Sequence, residues 1–497
     1  MKTIVAFFQD TLRAWYFPEN TWLARWLERI WLPGLYLIGL FQWADFLDWG
    51  RIPLGMADWP TVVTPRLFVL QDALRKGLFP LHSLKPILMF ISNGTEGITD
   101  RFLAIPDIIL SPQILLLKVI DPGIFLLVDL LLLYSLGFLG LNLIRRKYAL
   151  GLGVFSALFL LFNFNGHIVD HLFIGHATWF SYFLLPYFVL LVLELLEGHE
   201  EWGWALKVSL LLLAILLQGG IHQYIQLLMF LGLLGLFAAQ FRKTSWTAVG
   251  FSVLIAAFRI VPSSLVSSNA NLEFLGGFTT FNEALRGLTS LVEPAQVAGN
   301  ISRLNPYVAW WEFDYYVGWM GLAFVAGLLF LGWRLKVFST SPYGRAILAP
   351  ALVLALFSVG RLYKPVFLLH IPLLDGERVG SRFLFIPFLF ALFLAALAGQ
   401  RLLERYPIKA DGQLFLLGAF LVLFNDLQQH LESWGIDRLS VISDVKQVDP
   451  ALWVVANHAD PIYQVALIAG GAISVASLAV LWWLSAQARP SPTLAEP

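Results

Sequence analysis

The first polar stretch of this chain sets Asp45 and Asp48 ahead of Arg51. It then sets Asp58, in Met56-Ala57-Asp58-Trp59-Pro60, ahead of Arg66. A carboxylate beside a basic residue can take a proton from an acceptor hydroxyl while the cation meets charge on a phosphate leaving group. The same residues also read as a solvated loop anchored by interfacial tryptophans. His167, His171 and His176 accompany Asp170, and the first two share one face if the segment is helical, so a divalent ion is geometrically admissible. Gly166 and Gly175 interrupt that helix, so no metal is expected. Hydrogen bonding at the interface or to a lipid headgroup is the expected role of these histidines, and of His222 beside Gly219-Gly220. Arg259, Arg378 and Arg382 lie where apolar stretches begin or end. They either snorkel to the interface or grip phosphate oxygens bidentately. Arg378 and Arg382, four apart, would share a helix face. Asp129 stands inside an apolar stretch, which fits either a proton-coupled transporter or a hydrogen bond to a neighbouring helix.

The elements that hold these groups are set by composition. Of 497 residues, 58% are hydrophobic and 13% charged, and the mean hydropathy is +0.73. These values belong to an all-α, polytopic integral membrane protein rather than a soluble domain. About twelve stretches approach the roughly 20 apolar residues that a spanning helix needs. They run near Trp31–Trp43, Ile124–Ile144, Ala149–Phe162, Thr178–Leu196, Trp204–Leu217, Gln223–Gln240, Trp246–Ile260, Gly318–Trp333, Ala346–Val359, Phe383–Ala398, Leu414–Phe424 and Gln464–Leu484. One transmembrane domain over 1–487 is expected. Long outer loops would cover 44–123, 261–317 and 425–463, and the Pro-rich end, 488–497, reads as a disordered tail.

Short loops decide orientation because cytoplasmic ones are rich in Lys and Arg. Arg145-Arg146-Lys147, Lys207, Arg242-Lys243, Arg334 with Lys336 and Arg345, and Arg401 with Arg405 and Lys409 fall on one side. That side is read as cytoplasmic, with both termini, in a bacterial inner membrane. Of nine histidines only His199 falls there; His82, His167, His171, His176, His222, His370, His430 and His458 fall outside. Residues 1–30 carry Asp10, Glu19 and Glu28 within their apolar run, so they are not a cleavable signal. Trp15, Tyr16, Trp22 and Trp26 among Arg13, Arg25 and Arg29 suit a helix lying in the inner interface. The chain has no cysteine, hence no disulfide or thiolate site, and 33 basic against 33 acidic residues give no footprint for nucleic acid. It has no Walker-type phosphate loop and no tandem repeat.

The polar first loop with its Asp, Gly166-His167, Gly175-His176 leading through Trp179 to Leu185-Pro186, and Gly219-Gly220-Ile221-His222 resemble polytopic GT-C glycosyltransferase-like membrane proteins, including the YfhO-like group. Glu312-Phe313-Asp314-Tyr315-Tyr316-Val317-Gly318 and Glu377-Arg378-Val379-Gly380-Ser381-Arg382-Phe383, each before a span, resemble further motifs of that group. The resemblance covers roughly Asp45 to Leu403. It implies a GT-C-like fold and an inverting transfer of a sugar from a polyprenyl-phosphate donor to an acceptor at the outer face. Asp58 would be the base, with Asp48 second. Glu312 and Asp314 would orient sugar hydroxyls, and Arg66, His222, Arg378 and Arg382 would bind phosphate. Such an enzyme needs membrane lipids and the lipid-linked donor. It requires no cofactor, and it admits a divalent cation, for which His167, His171 and His176 are the candidate ligands. Two other classes share the architecture: a non-catalytic GT-C-like subunit of a larger membrane complex, and a secondary transporter or lipid flippase, which would show inverted halves with broken helices.

Overall fold

The computed structural model describes residues 10–17, 21–51, 58–79, 81–83, 100–104, 108–198, 202–267, 274–292, 310–336, 343–371, 373–436, 454–455 and 459–488. His199, His458 and the tail beyond residue 488 lie outside them. Every expected apolar stretch is helical. A short helix α1 (residues 10–16) precedes α2 (Trp22–Phe46), and α3 (Thr64–Arg75) lies in the first polar segment. Next come α4 (Pro122–Lys147), α5 (Leu152–Asn163), α6 (Gly166–Phe173) and α7 (Leu185–Leu196), the last begun by a 3₁₀ turn, Ala177–Leu184. After α8 (Trp202–Leu217), α9 (Ile221–Phe237), α10 (Arg242–Ile255) and α11 (Ala257–Ser267) there is a small amphipathic helix, α12 (Phe281–Thr289). The chain ends with α13 (Gly318–Leu322), α14 (Leu328–Arg334), α15 (Tyr343–Ser358), α16 (Gly360–Phe367), α17 (Phe385–Arg405), α18 (Ala410–Ser433) and α19 (Pro461–Gln487).

Among the described residues, length and apolarity qualify six helices to cross a membrane, or up to eight if each of two bent pairs is one span. Twelve spans were expected, and fewer helices qualify. The difference has local causes. α8 reaches only 16 residues, α9 and α10 turn back on each other at 118°, and α2 carries Arg25, Glu28 and Arg29 in its first turns. Burial orders the helices. The Leu152–Phe173 run is 94% buried and forms the centre, whereas Ala410–Ser433 and Pro461–Gln487, at 17% and 22%, present most of their apolar surface outward. Such outward apolar surface is what lipid covers.

The described residues of the N-terminal stretch divide between α1 and α2. Residues 22–30 are the first turns of α2, N-capped by Thr21 through Ala24 N–H. Trp15 and Tyr16 are buried in the bundle, Trp15 edge-on to Phe420 and Tyr16 donating to the Gln413 carbonyl at 3.0 Å. The first polar segment is likewise partly helical through α3. Three two-residue strands, β1 (His82–Ser83), β2 (Asp100–Arg101) and β3 (Val454–Val455), join it to the segment before α19 in the antiparallel order β2-β1-β3. Arg101 closes that junction on Asp460 with bonds of 2.8 and 3.2 Å. Asp129, inside α4, accepts from Gln113 Nε2 at 2.7 Å through Oδ1, while its buried Oδ2 has no hydrogen-bond partner among the described residues.

The polar loops segregate. At one end Arg145 meets Glu28, Lys147 meets Glu194 and Glu197, Gly151 N–H meets Gln400, and Arg405 meets the Leu335 carbonyl. At the other end Asp58 meets His176, Glu312 meets Arg382 and His222 meets Glu377. Each of these contacts joins segments that the basic-residue count assigns to the same side. The chain lacks cysteine, so exposed positions can be tagged singly. With Arg146→Cys and Arg51→Cys, an impermeant thiol reagent added to intact cells should label only the latter. Labelling of both from outside would break the two-ended arrangement, and labelling of Arg146→Cys alone would invert the orientation.

A carboxylate and imidazole cluster at one end of the bundle

The short helix α6 organises the site. Asn165 caps it, its side chain accepting from Ile168 N–H, and Gly166 begins it where a Cβ would lie 1.9 Å from Asp314 Oδ1. Gly175 ends it at φ +96°, and a Cβ there would lie 2.4 Å from the Trp59 nitrogen. The two glycines therefore bound α6 by letting other backbone approach, rather than by leaving it unformed. The segment that arrives at Gly175 is the first polar one. Asp58 N–H donates to the Ile174 carbonyl at 2.8 Å, and the buried Trp59 indole donates to the Leu172 carbonyl at 2.9 Å. Asp58 is thus fixed over the end of α6. An alanine at Gly175 meets both a left-handed backbone and this contact, and should cost roughly 1–3 kcal/mol in stability. A melting temperature equal to wild type for Gly175→Ala would contradict the docking.

From Asp58 the cluster runs inward. Its Oδ2 stands 3.5 Å from His176 Nε2, His176 Nδ1 is 2.8 Å from His171 Nδ1, and His171 stacks flat on Trp179 at 4.3 Å. Glu312 completes the group: ligand atoms of His171, His176 and Glu312 all lie within 4.8 Å of one another. Glu312 is held by Arg382 through two bonds, Nε to Oε2 at 2.7 Å and a second from Nη2. His222 bonds Glu377 at 2.7 Å, and Gln226 donates to the other oxygen of Glu377 at 3.3 Å.

The electrostatics follow from partial burial. Desolvation pushes the Asp58 carboxyl above its ordinary range, with Arg66 and Arg382 opposing and Glu312 assisting. Desolvation would raise Glu312 too, but Arg382 more than offsets it and the carboxyl ends below its usual range. His176 is pushed down to about 3, first by desolvation and then by Arg382. His176 is therefore neutral at physiological pH and offers a lone pair to a proton donor or a metal. Two imidazole nitrogens and a carboxylate oxygen are a competent donor set for a first-row divalent ion.

The expected site residues divide. Asp58, His171, His176, His222, Glu312 and Arg382 converge, and Arg66, on the first turn of α3, acts on Asp58 through its charge. Asp48 does not join them; it sits in an exposed turn, at φ 46°, beside Arg51. His167 lies between the rings of Tyr315 and Phe385, at 4.6 and 5.0 Å, so it packs as an aromatic. Asp314 is fully buried and accepts from the Trp310 indole and Tyr316 N–H, so both of its oxygens are engaged inside the protein. Arg378 and Arg382 share no α-helix face. Arg378 precedes a 3₁₀ turn, Gly380–Leu384, that holds Arg382, because the chain must first pass Gly360 and Gly276 closely. Glu377, inside the motif that opens α17, is the one site residue here that the sequence does not mark out on its own.

A separate cleft of about 570 Å³ lies between α5, α14, α17 and α18, lined by Leu328, Leu402, Phe415 and Leu423 among others. It is apolar and suits a hydrocarbon chain, whereas the titratable groups stand elsewhere. No family model, no curated protein and no solved structure matches this chain.

Proposed function

We propose that the protein is a membrane glycosyltransferase that moves a sugar from a polyprenyl-phosphate donor to an acceptor hydroxyl at the outer face of the membrane. The carrying observation is the convergence of Asp58 with His171, His176, Glu312 and Arg382 at one end of an apolar helical bundle. Four segments distant in sequence build one partly water-facing acid–base site where a lipid headgroup would arrive. Asp58, one-third exposed, takes the acceptor proton. Neutral His176 beside it keeps the carboxylate oriented and can pass the proton on. Arg66, which Asp58 feels as a positive charge, meets the phosphate that leaves. Arg382 is already neutralised by Glu312, so its part is to hold Glu312 in place rather than to clamp phosphate. A divalent ion held by His171, His176 and Glu312 would supply Lewis acidity toward that phosphate.

The test is transfer itself. The purified chain in proteoliposomes, given radiolabelled polyprenyl-phosphate sugars of several kinds, should release labelled acceptor product. An absence of transfer with every donor, together with stoichiometric co-purification of other membrane proteins, would replace the enzyme with a non-catalytic subunit of a complex.

A further inference from the structure

We propose that Asp170, Asp314 and His430 hold a divalent first-row metal ion, zinc or manganese, that clamps three segments of the chain behind the candidate site. Asp170 comes from α6, Asp314 from the stretch before α13, and His430 from the last turn of α18. All three side chains are fully buried, at 0% exposure. His430 Nε2 lies 3.6 Å from Asp170 Oδ1 and 3.5 Å from Asp314 Oδ2, and one ligand atom of each residue falls within 4.8 Å of the others. Metal–ligand bonds of about 2.0–2.2 Å at tetrahedral angles separate ligand atoms by roughly 3.3–3.6 Å. The two measured separations therefore fit an ion placed between the groups.

The charge balance asks for a cation. Burying two carboxylates without compensation is costly, and among the described residues His430 is their one ion-pair partner. A protonated His430 balances one negative charge, whereas a divalent ion balances both. Hydrogen bonding points the same way. Among the described residues neither buried oxygen of Asp170 accepts a hydrogen bond from an N–H or hydroxyl donor, and what lies within its reach is Asp314 and His430. Asp314 is by contrast oriented from outside, by the Trp310 indole at 2.6 Å and Tyr316 N–H at 2.7 Å, and the His430 ring stacks on Tyr316 at 4.7 Å. Outer groups that fix the ligands are what a metal centre requires. An imidazole and two carboxylates favour zinc or manganese over calcium, which takes six to eight oxygens. Because Asp170 precedes His171, an ion here also fixes the turn of α6 that presents His171.

The rival is a proton shared between Asp170 and Asp314. Protein purified in detergent without a metal-affinity tag, after growth with zinc and manganese, separates the two by elemental analysis. Wild type should contain metal of which Asp170→Asn and His430→Gln each lose about one equivalent, an equivalent that His171→Gln retains. Chelator should lower the wild-type melting temperature by several degrees, and added zinc or manganese alone should restore it. That wild-type cycle keeps the test valid if a variant fails to fold. A metal-free wild type whose melting is indifferent to chelator would establish the shared proton and overturn the proposal. Metal lost with His171→Gln but kept in the other two variants would also overturn it, by moving the ion to His171, His176 and Glu312.

Discussion

Replacing Asp58 with Asn should leave the protein folded and lower transfer from a polyprenyl-phosphate sugar by about 10²–10⁴-fold, a barrier increase of about 3–5 kcal/mol. The substitution preserves size and removes the base. Stability should not fall. Desolvation raises the folded-state pKa of Asp58, so the folded protein binds this proton more tightly than the unfolded chain, and ionising the group with rising pH removes stability. A neutral Asn escapes that penalty. The same shift shapes the wild-type rate. The base works only when ionised, so transfer should rise with pH through a range above the usual carboxylate value of about 4, and the residual activity of Asp58→Asn should lack that limb. Transfer in Asp58→Asn equal to wild type, with Asp48→Asn inactive, would keep the reaction and displace the base. Full transfer in both would remove the carboxylate mechanism.

How much of this was legible beforehand can be followed residue by residue. The helices were legible because a run of apolar side chains long enough to approach a bilayer's thickness has few other outcomes in such a composition. Their number was less so, since bends such as that between α9 and α10 depend on packing against α8 and α15. Asp58 stood out as a carboxylate in the first polar stretch. Its contact with α6 did not, because Gly175 reads as a helix breaker from sequence and as a docking surface only when Trp59 arrives. Arg378 and Arg382 looked like a helical pair until Gly360 and Gly276 forced a 3₁₀ turn between them. Nothing local links Asp170 to Asp314 and His430, since their association is purely tertiary. Each had an ordinary reading of its own, and only the shared burial makes them a group.

Arg382→Gln should be the most destabilising single change at this site, costing about 3–5 kcal/mol. The Arg382 and Glu312 side chains are 11% and 7% exposed and are joined by two hydrogen bonds. Removing the cation leaves Glu312 buried without its partner and strips Glu377 of a nearby positive charge as well. Glu312→Gln should cost less, because Arg382 still feels Glu377. The double variant Glu312→Gln with Arg382→Gln should lose less than the sum of the two singles, since neither charge is then stranded. Acid supplies an independent check. Arg382 holds the Glu312 pKa below its ordinary value, so this pair contributes fully above the unfolded carboxylate range, near about 4, and the contribution fades as pH falls through the lower folded value. Wild type should therefore lose more stability in that acid window than Glu312→Gln does. Melting temperatures of the four proteins across pH measure both effects. If Arg382→Gln melts with wild type at neutral pH, the pair is a surface decoration and the cluster is not held together by charge.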